Sequence, residues 1–218
     1  MLICQTSLGV FDMTINADGH DRAHSDADVA MMQRCVRLAE EAVQQRELPF
    51  AALVCKNGSV VVEAGNAVVR SSDVTRHAEL VAISEAQKIL GSAGLSGCTL
   101  YTIVEPCAMC AFAVRETRMS RVAFCIRSPM MGGLSKWDVL RDTELSHAMP
   151  EVFGPVPEVI AGLLRSEAES VWRRWNPVFW AIIQQRGYLG GGGPSEYLPS
   201  IPGRRSLLRR LFTLHKNH

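Results

Sequence analysis

The chain has 218 residues, a net charge of +1 and 47% hydrophobic residues. That is length enough for one domain with extensions and a real buried core. The near-neutral balance gives no global mark of a nucleic-acid binder, and no apolar run of about 18 residues marks a membrane span.

Seven cysteines make a complete set of internal disulfides impossible. Cys35, Cys55, Cys98 and Cys125 sit in apolar runs. They read as buried free thiols in a reducing compartment. The N-terminus has no basic start before its short apolar stretch and reaches Asp12 soon after. No signal peptide is expected, and the cytoplasm is the expected location.

Residues 1–24 read as an irregular N-terminal arm. Ser25 and Asp28 form a helix start signal, and Val29, Met32, Cys35, Val36, Ala39 and Val43 recur at helical spacing. Residues 49–55 (PFAALVC) and 59–64 are apolar strands joined by Lys56-Asn57-Gly58, a hairpin turn. Residues 67–75 read as a loop. A helix over 77–90 stops at Gly91, and 98–104 (CTLYTIV) is a strand. Pro106 opens a further helix, and 121–126 is a strand. Strands joined through helices should be parallel neighbours, which gives a layered α/β domain.

Further on, 129–140 reads as a loop and a short helix, and 158–162 as a short strand. A long helix is expected over 166–187, with Trp172, Trp175 and Phe179 on one face as core or interface. The expected organisation is an arm (1–24), a catalytic domain (25–150), a helical extension (151–187) and a flexible basic tail (188–218).

The chemistry concentrates in His77-Ala78-Glu79 and Pro106-Cys107-Ala108-Met109-Cys110. Cys107 and Cys110, at i and i+3, share one face of a helix. With His77 they offer three zinc ligands and leave one position for water, the pattern of a catalytic site. Both His77 and Cys107 fall at expected helix starts, where the partial positive charge favours thiolate. Zinc lowers the pKa of its water to about 7. Glu79 is placed to take that water's proton and deliver protons to a ring nitrogen and a departing amine. Hydrolysis at an amidine-like carbon, as in nucleobases, needs this set. A non-catalytic zinc site and a redox Cys-x-x-Cys pair are the competing readings; neither gives Glu79 a role.

His-x-Glu followed by Pro-Cys-x-x-Cys resembles the signature of the cytidine deaminase superfamily. The resemblance spans about residues 48–140. LPFAALV, RHAELVAI and LYTIVEPCAMCAFAV look like the branch of guanine deaminases and tRNA wobble-adenosine deaminases. The resemblance implies a three-layer α/β fold, with a mixed five-stranded sheet flanked by helices, usually as a homodimer. It implies one zinc per subunit on His77, Cys107 and Cys110, with Glu79 as the catalytic proton shuttle. Asn66 would contact the base. Phe50, Ala78, Glu105 and Pro106 are further candidate substrate contacts, with plain core as the competing role for Phe50.

Three features depart from the family pattern: Ala51 where glycine is common, Arg76 before the histidine, and Ile103-Val104 before Glu105. The implied activity is hydrolytic deamination of a free amino-bearing nucleobase or nucleoside, guanine-like or related, with release of ammonia. The alternative is a tRNA-specific adenosine deaminase, with Arg204, Arg205, Arg209 and Arg210 of the tail touching RNA phosphates.

Overall fold

A computed structural model describes residues 24–190. The arm up to residue 23 and the tail beyond residue 190, with its four arginines, lie outside the described residues.

Helix α1 (Asp26–Gln44) begins as the sequence indicates. Ser25 caps it, and the Asp28 side chain reaches back to the cap in a full capping box. Such a cap contributes about 1 kcal/mol. Strands β1 (Ala51–Lys56) and β2 (Ser59–Gly65) form the expected hairpin. Asn57 and Gly58 take φ of 50° and 76°, the left-handed conformation that this pair tolerates.

The segment after β2 is not all loop. It holds one helical turn, α2 (Val68–Ser71), which has no side-chain cap of its own at Ala67. Helix α3 (Ala78–Leu90) follows and ends on Gly91 at φ 60°. Strand β3 (Cys98–Val104) leads to α4 (Ala108–Glu116), then to β4 (Arg121–Ile126). Pro106 stands before the N-cap, Cys107, and not in the first turn of α4.

The five strands lie in the order β2-β1-β3-β4-β5, where β5 is Glu158–Ala161. β1 is antiparallel to both β2 and β3, while β3, β4 and β5 run parallel. The expected parallel adjacency therefore holds for β3 and β4 but not for β2 and β3. The helical connection from β2 passes over β1, so those two strands are not neighbours. The sheet is mixed and five-stranded, as expected.

Every residue of β3 is buried, because helices cover both faces. On one face α1 and α6 (Arg165–Trp175) pack against Leu53, Tyr101 and Ile103. On the other, α3 and α4 pack against Val54, Leu100 and Phe124. β5 belongs to the same sheet as β3 and β4, so the expected boundary at residue 150 falls between elements of one sheet.

Two expectations after β4 are corrected. Residues 129–140 form turns, and the short helix comes later, as α5 (Thr143–Ala148). The long helix over 166–187 is two helices, α6 and α7 (Pro177–Gln185). Pro177 has no N–H to continue α6, and the Asn176 side chain accepts from Phe179 N at 2.9 Å to start α7. Trp172 is core, 1% exposed, with Phe50, Trp175 and Trp180 rings at 5.1, 5.7 and 5.9 Å.

Candidate active site

Two helix starts build the site. His77 is the N-cap of α3, and Cys107 is the N-cap of α4. Neither side chain caps its own helix. Both are free to point at a common centre, where two helix N-termini favour anionic groups.

There they converge. Cys107 Sγ and Cys110 Sγ are 3.6 Å apart, and each lies 3.6 Å from His77 Nδ1. The fit to zinc can be tested on these edges. Around a tetrahedral ion with Zn–S about 2.3 Å and Zn–N about 2.0–2.1 Å, neighbouring ligands stand about 3.8 Å (S to S) and about 3.6 Å (S to N) apart. The three observed separations match that tetrahedron. Among the described residues, His77, Cys107 and Cys110 form the cluster able to hold a metal ion.

The charge state agrees. The Cys107 thiol is held down to about 4, first by the hydrogen bond it shares with Cys110 and then by the His77 ring. That same bond and burial push Cys110 upward. Only one of two adjacent thiols ionises readily alone; a divalent cation between them lets both do so.

Glu79, in the first turn of α3, is 5% exposed. Its Oε2 lies 3.8 Å from Cys110 Sγ. Its Oε1 accepts from the Thr102 hydroxyl at 3.0 Å. Burial raises its pKa, and the bonds from its own backbone N–H and from Thr102 partly oppose that rise. A zinc ion held by these three residues would have a fourth position for water, and this carboxyl stands beside the cluster.

The remaining candidates divide. Asn66 is 3% exposed and donates from Nδ2 to Glu47 Oε2 at 3.2 Å. It stands at the neck of the 66–77 segment, where Ala67 N donates to Arg76 O at 3.1 Å, one residue before His77. Ala78 is fully buried between His77 and Glu79, and Pro106 is buried beside Cys107. Arg76 is exposed.

Glu105 and Phe50 have other partners. The Glu105 carboxylate is a loop anchor: it accepts from the backbone of Ser128, Leu134 and Ser135 and from the Ser135 hydroxyl. All these donors lie in the segment after β4, so both oxygens are taken. Phe50 packs edge-on against Trp172 on the α1/α6 face of the sheet, opposite α3 and α4. Its ring is part of the core.

The loop that Glu105 anchors crosses the site closely. Gly133 N donates to Pro106 O at 2.7 Å, and Cys107 forms an isolated bridge with Gly132. A Cβ on Gly132 would stand 2.0 Å from Glu105 Oε1, and one on Gly133 would stand 2.2 Å from Ala111 Cβ. Glycine at both positions lets the loop lie against the start of α4. Thr102 and Glu47 escaped the sequence reading. Thr102 carries a faint signal, as a polar residue following Leu100 on the α3-facing side of β3; Glu47 carries none.

Comparison with known proteins agrees with this geometry. Residues 25–126 match the family model described as the cytidine and deoxycytidylate deaminase zinc-binding region. A tRNA-specific adenosine deaminase of Aquifex aeolicus is 35% identical over 124 residues, covering 56% of this chain and 82% of that protein. A solved tRNA:A34 deaminase, studied for A-to-I editing at the wobble position, is 30% identical with a TM-score of 0.57. The match covers 65% of this chain and 98% of that one. A solved protein in complex with 8-azaguanine is 26% identical with a TM-score of 0.58, covering 69% and 84%. With its His-x-Glu and Pro-Cys-x-x-Cys elements joined in one zinc-type cluster on this sheet, the chain belongs to the cytidine deaminase superfamily of zinc-dependent deaminases.

Proposed function

We propose that this chain hydrolyses the exocyclic amino group of a free guanine-like or related nucleobase or nucleoside, releasing ammonia. The observation that carries the reaction class is Glu79: buried, tied by Thr102, and 3.8 Å from a thiol of the cluster. Bound zinc would supply Lewis acidity, bringing the pKa of a water to about 7.

The protein's own groups then do the following. Asn66 holds the base by its carboxamide. Glu79 takes a proton from the attacking water as its oxygen bonds to the amino-bearing carbon. It passes that proton to the adjacent ring nitrogen. The second proton of the water travels by Glu79 to the amine; the C–N bond breaks, and ammonia leaves as the carbonyl forms. Burial suits the carboxyl to this work, since it raises the pKa above the ordinary carboxylate value.

Charge supports a small substrate. From Tyr188 onward five Lys and Arg face one Glu, a net +4, which leaves −3 for the remainder of the chain. A slightly acidic body is a poor surface for phosphates. A second reading, deamination of the tRNA wobble adenosine, is favoured by the Aquifex relative and by the tRNA:A34 deaminase. Arg204, Arg205, Arg209 and Arg210 would then supply the grip on RNA.

The expected assembly is a homodimer. Met109 and Phe112 on α4, with Met130, Met131 and Trp137 nearby in sequence, are exposed and apolar, and burying them would favour pairing. The cytoplasm is the proposed location. Among the described residues no helix is long and apolar enough to cross a membrane, and Cys35, Cys55, Cys98 and Cys125 are free buried thiols.

The deciding experiment is an ammonia-release panel across bases, nucleosides, nucleotides and tRNA, for the full chain and for a chain lacking Arg204–His218. Turnover of a small base, unchanged by the deletion, supports the first reading. Turnover of tRNA alone, lost on deletion, supports the second. No ammonia from any member rejects both.

A further inference from the structure

Glu47 is a buried acid far from the metal cluster in sequence, and the mechanism above does not use it. It is 2% exposed and lies between α1 and β1. Its Oε2 accepts from Asn66 Nδ2 at 3.2 Å and from Val69 N at 3.3 Å, and its Oε1 accepts from Arg70 N at 2.8 Å. Val69 and Arg70 are the second and third residues of α2. Glu47 thus caps from a distance a helical turn that Ala67 cannot cap.

We infer that Glu47 is a positioning residue for substrate recognition: it fixes which face of the Asn66 carboxamide is offered to the base. This rests on the proposed deaminase reading and on Asn66 as the base contact. An amide side chain has two ends of similar shape, a donor end and an acceptor end, and can present either by a half turn. Both oxygens of Glu47 already accept backbone N–H groups. A group used in this way as an acceptor can pair only with the Nδ2 end of Asn66. The half turn is therefore blocked, and Oδ1 remains as the acceptor for a ligand. The selected substrate is a base that presents an N–H to that oxygen.

The backbone reinforces the arrangement. Asn66 N donates to Phe50 O at 3.0 Å, and Ala67 N donates to Arg76 O at 3.1 Å. The main chain on both sides of the carboxamide is thus pinned, and the side-chain half turn is the freedom left to remove. Glu47 removes it from the same connection that leads into β1. A buried acceptor facing a wrongly turned amide would set two acceptors against each other, with no proton to share between them.

Glu47→Gln keeps the shape and replaces one acceptor by a donor. The amide can then pair with a half-turned Asn66, which would show its NH2 to the base. With the panel's best substrate, KM is expected to rise about tenfold or more, with kcat changed less than about threefold. Zinc content and melting temperature, measured on the same samples, separate this from loss of fold.

The decisive arm is a double-mutant cycle with Asn66→Ala. If Glu47 acts through Asn66, Glu47→Gln changes kcat/KM by less than about twofold in the Asn66→Ala background. An equal penalty in both backgrounds overturns the proposal, as does an unchanged KM in the single variant. Should Glu47→Gln fail to fold, Glu47→Asp, which keeps the acceptor but shortens its reach, is run through the same cycle with the same criteria. Wild-type chain that releases no ammonia from any panel member rejects the deaminase reading itself and this inference with it. Wild-type turnover without coupling in the cycle rejects only the inference.

Discussion

The hydroxyl of Thr102, on β3, lies 3.0 Å from Oε1 of Glu79, on α3. The same hydroxyl stands 3.2 Å from Ala51 O, but it has a single proton to give. The carboxylate is the nearer acceptor and carries the charge, so it holds the proton more strongly. The sheet thereby sets the orientation of the acid beside the metal cluster.

Thr102→Val removes this bond with little change of shape. The carboxylate loses a donor that lowers its pKa, so that pKa rises further. The acid limb of kcat against pH is expected to move to higher pH, and kcat at neutral pH to fall about tenfold. A pH–rate profile checks it. An unmoved acid limb means that Thr102 does not act through Glu79.

Glu79→Gln keeps size and burial but cannot shuttle protons. General acid–base groups contribute about 10²–10⁴-fold. Ammonia release is expected to fall within that range while the zinc content stays at one per chain. Activity within a few-fold of wild type would remove Glu79 from the proton path.

How much of this was legible in the sequence depended on distance along the chain. Ser25 with Asp28, Asn57 with Gly58, and Gly91 are local signals, and each forms the cap or turn expected of it. The cluster of His77, Cys107 and Cys110 was legible because zinc demands a narrow choice of residues, spaced by helix geometry. Pro177 sits inside an apolar periodicity that reads as one helix, although it ends α6 by its missing N–H. The separation of β2 from β3 could not be read, because a crossover does not state which strand it passes over. Glu105 shows a subtler limit. It neighbours the cysteines in sequence, but its side chain serves a loop more than twenty residues on. Thr102 and Glu47 matter through partners 23 and 19 residues away, which no spacing rule indicates.

Cys107→Ala takes one of the three ligands. Metal binding and folding are coupled, since the assembled site binds far better than the unfolded chain. Zinc occupancy is expected to fall by more than tenfold and the melting temperature by several degrees. Incubating the wild-type chain with a strong chelator is expected to reproduce the loss of activity, and added zinc to restore it. Full occupancy in the variant, by elemental analysis, would displace Cys107 from the ligand set.

Asp28 gives a prediction about acid stability. It is 2% exposed and accepts at Oδ1 from Tyr101 Oη at 2.7 Å and from Arg121 at 3.1 Å. Oδ2 accepts from Ser25 N and Oγ at 3.0 and 2.8 Å. Burial alone would raise its pKa; the bonds from Tyr101, Arg121 and Ser25 outweigh burial and hold it well below the carboxylate range. The folded value thus lies below the unfolded value of about 3.9. The resulting stabilisation is complete above about pH 4 and is lost as pH falls toward the folded value. The slope of unfolding free energy in that window is at most about 1.4 kcal/mol per pH unit from this group, and less where water screens the partly exposed Arg121. Asp28→Asn is expected to lower stability at pH 7 by about 2 kcal/mol and to flatten the acid slope, because the titrating group is gone while α1 loses its tie to β3 and β4. Urea unfolding at pH 7, 4 and 3 measures both effects. A variant as steep between pH 4 and 3 as the wild type would assign the acid sensitivity to another carboxylate.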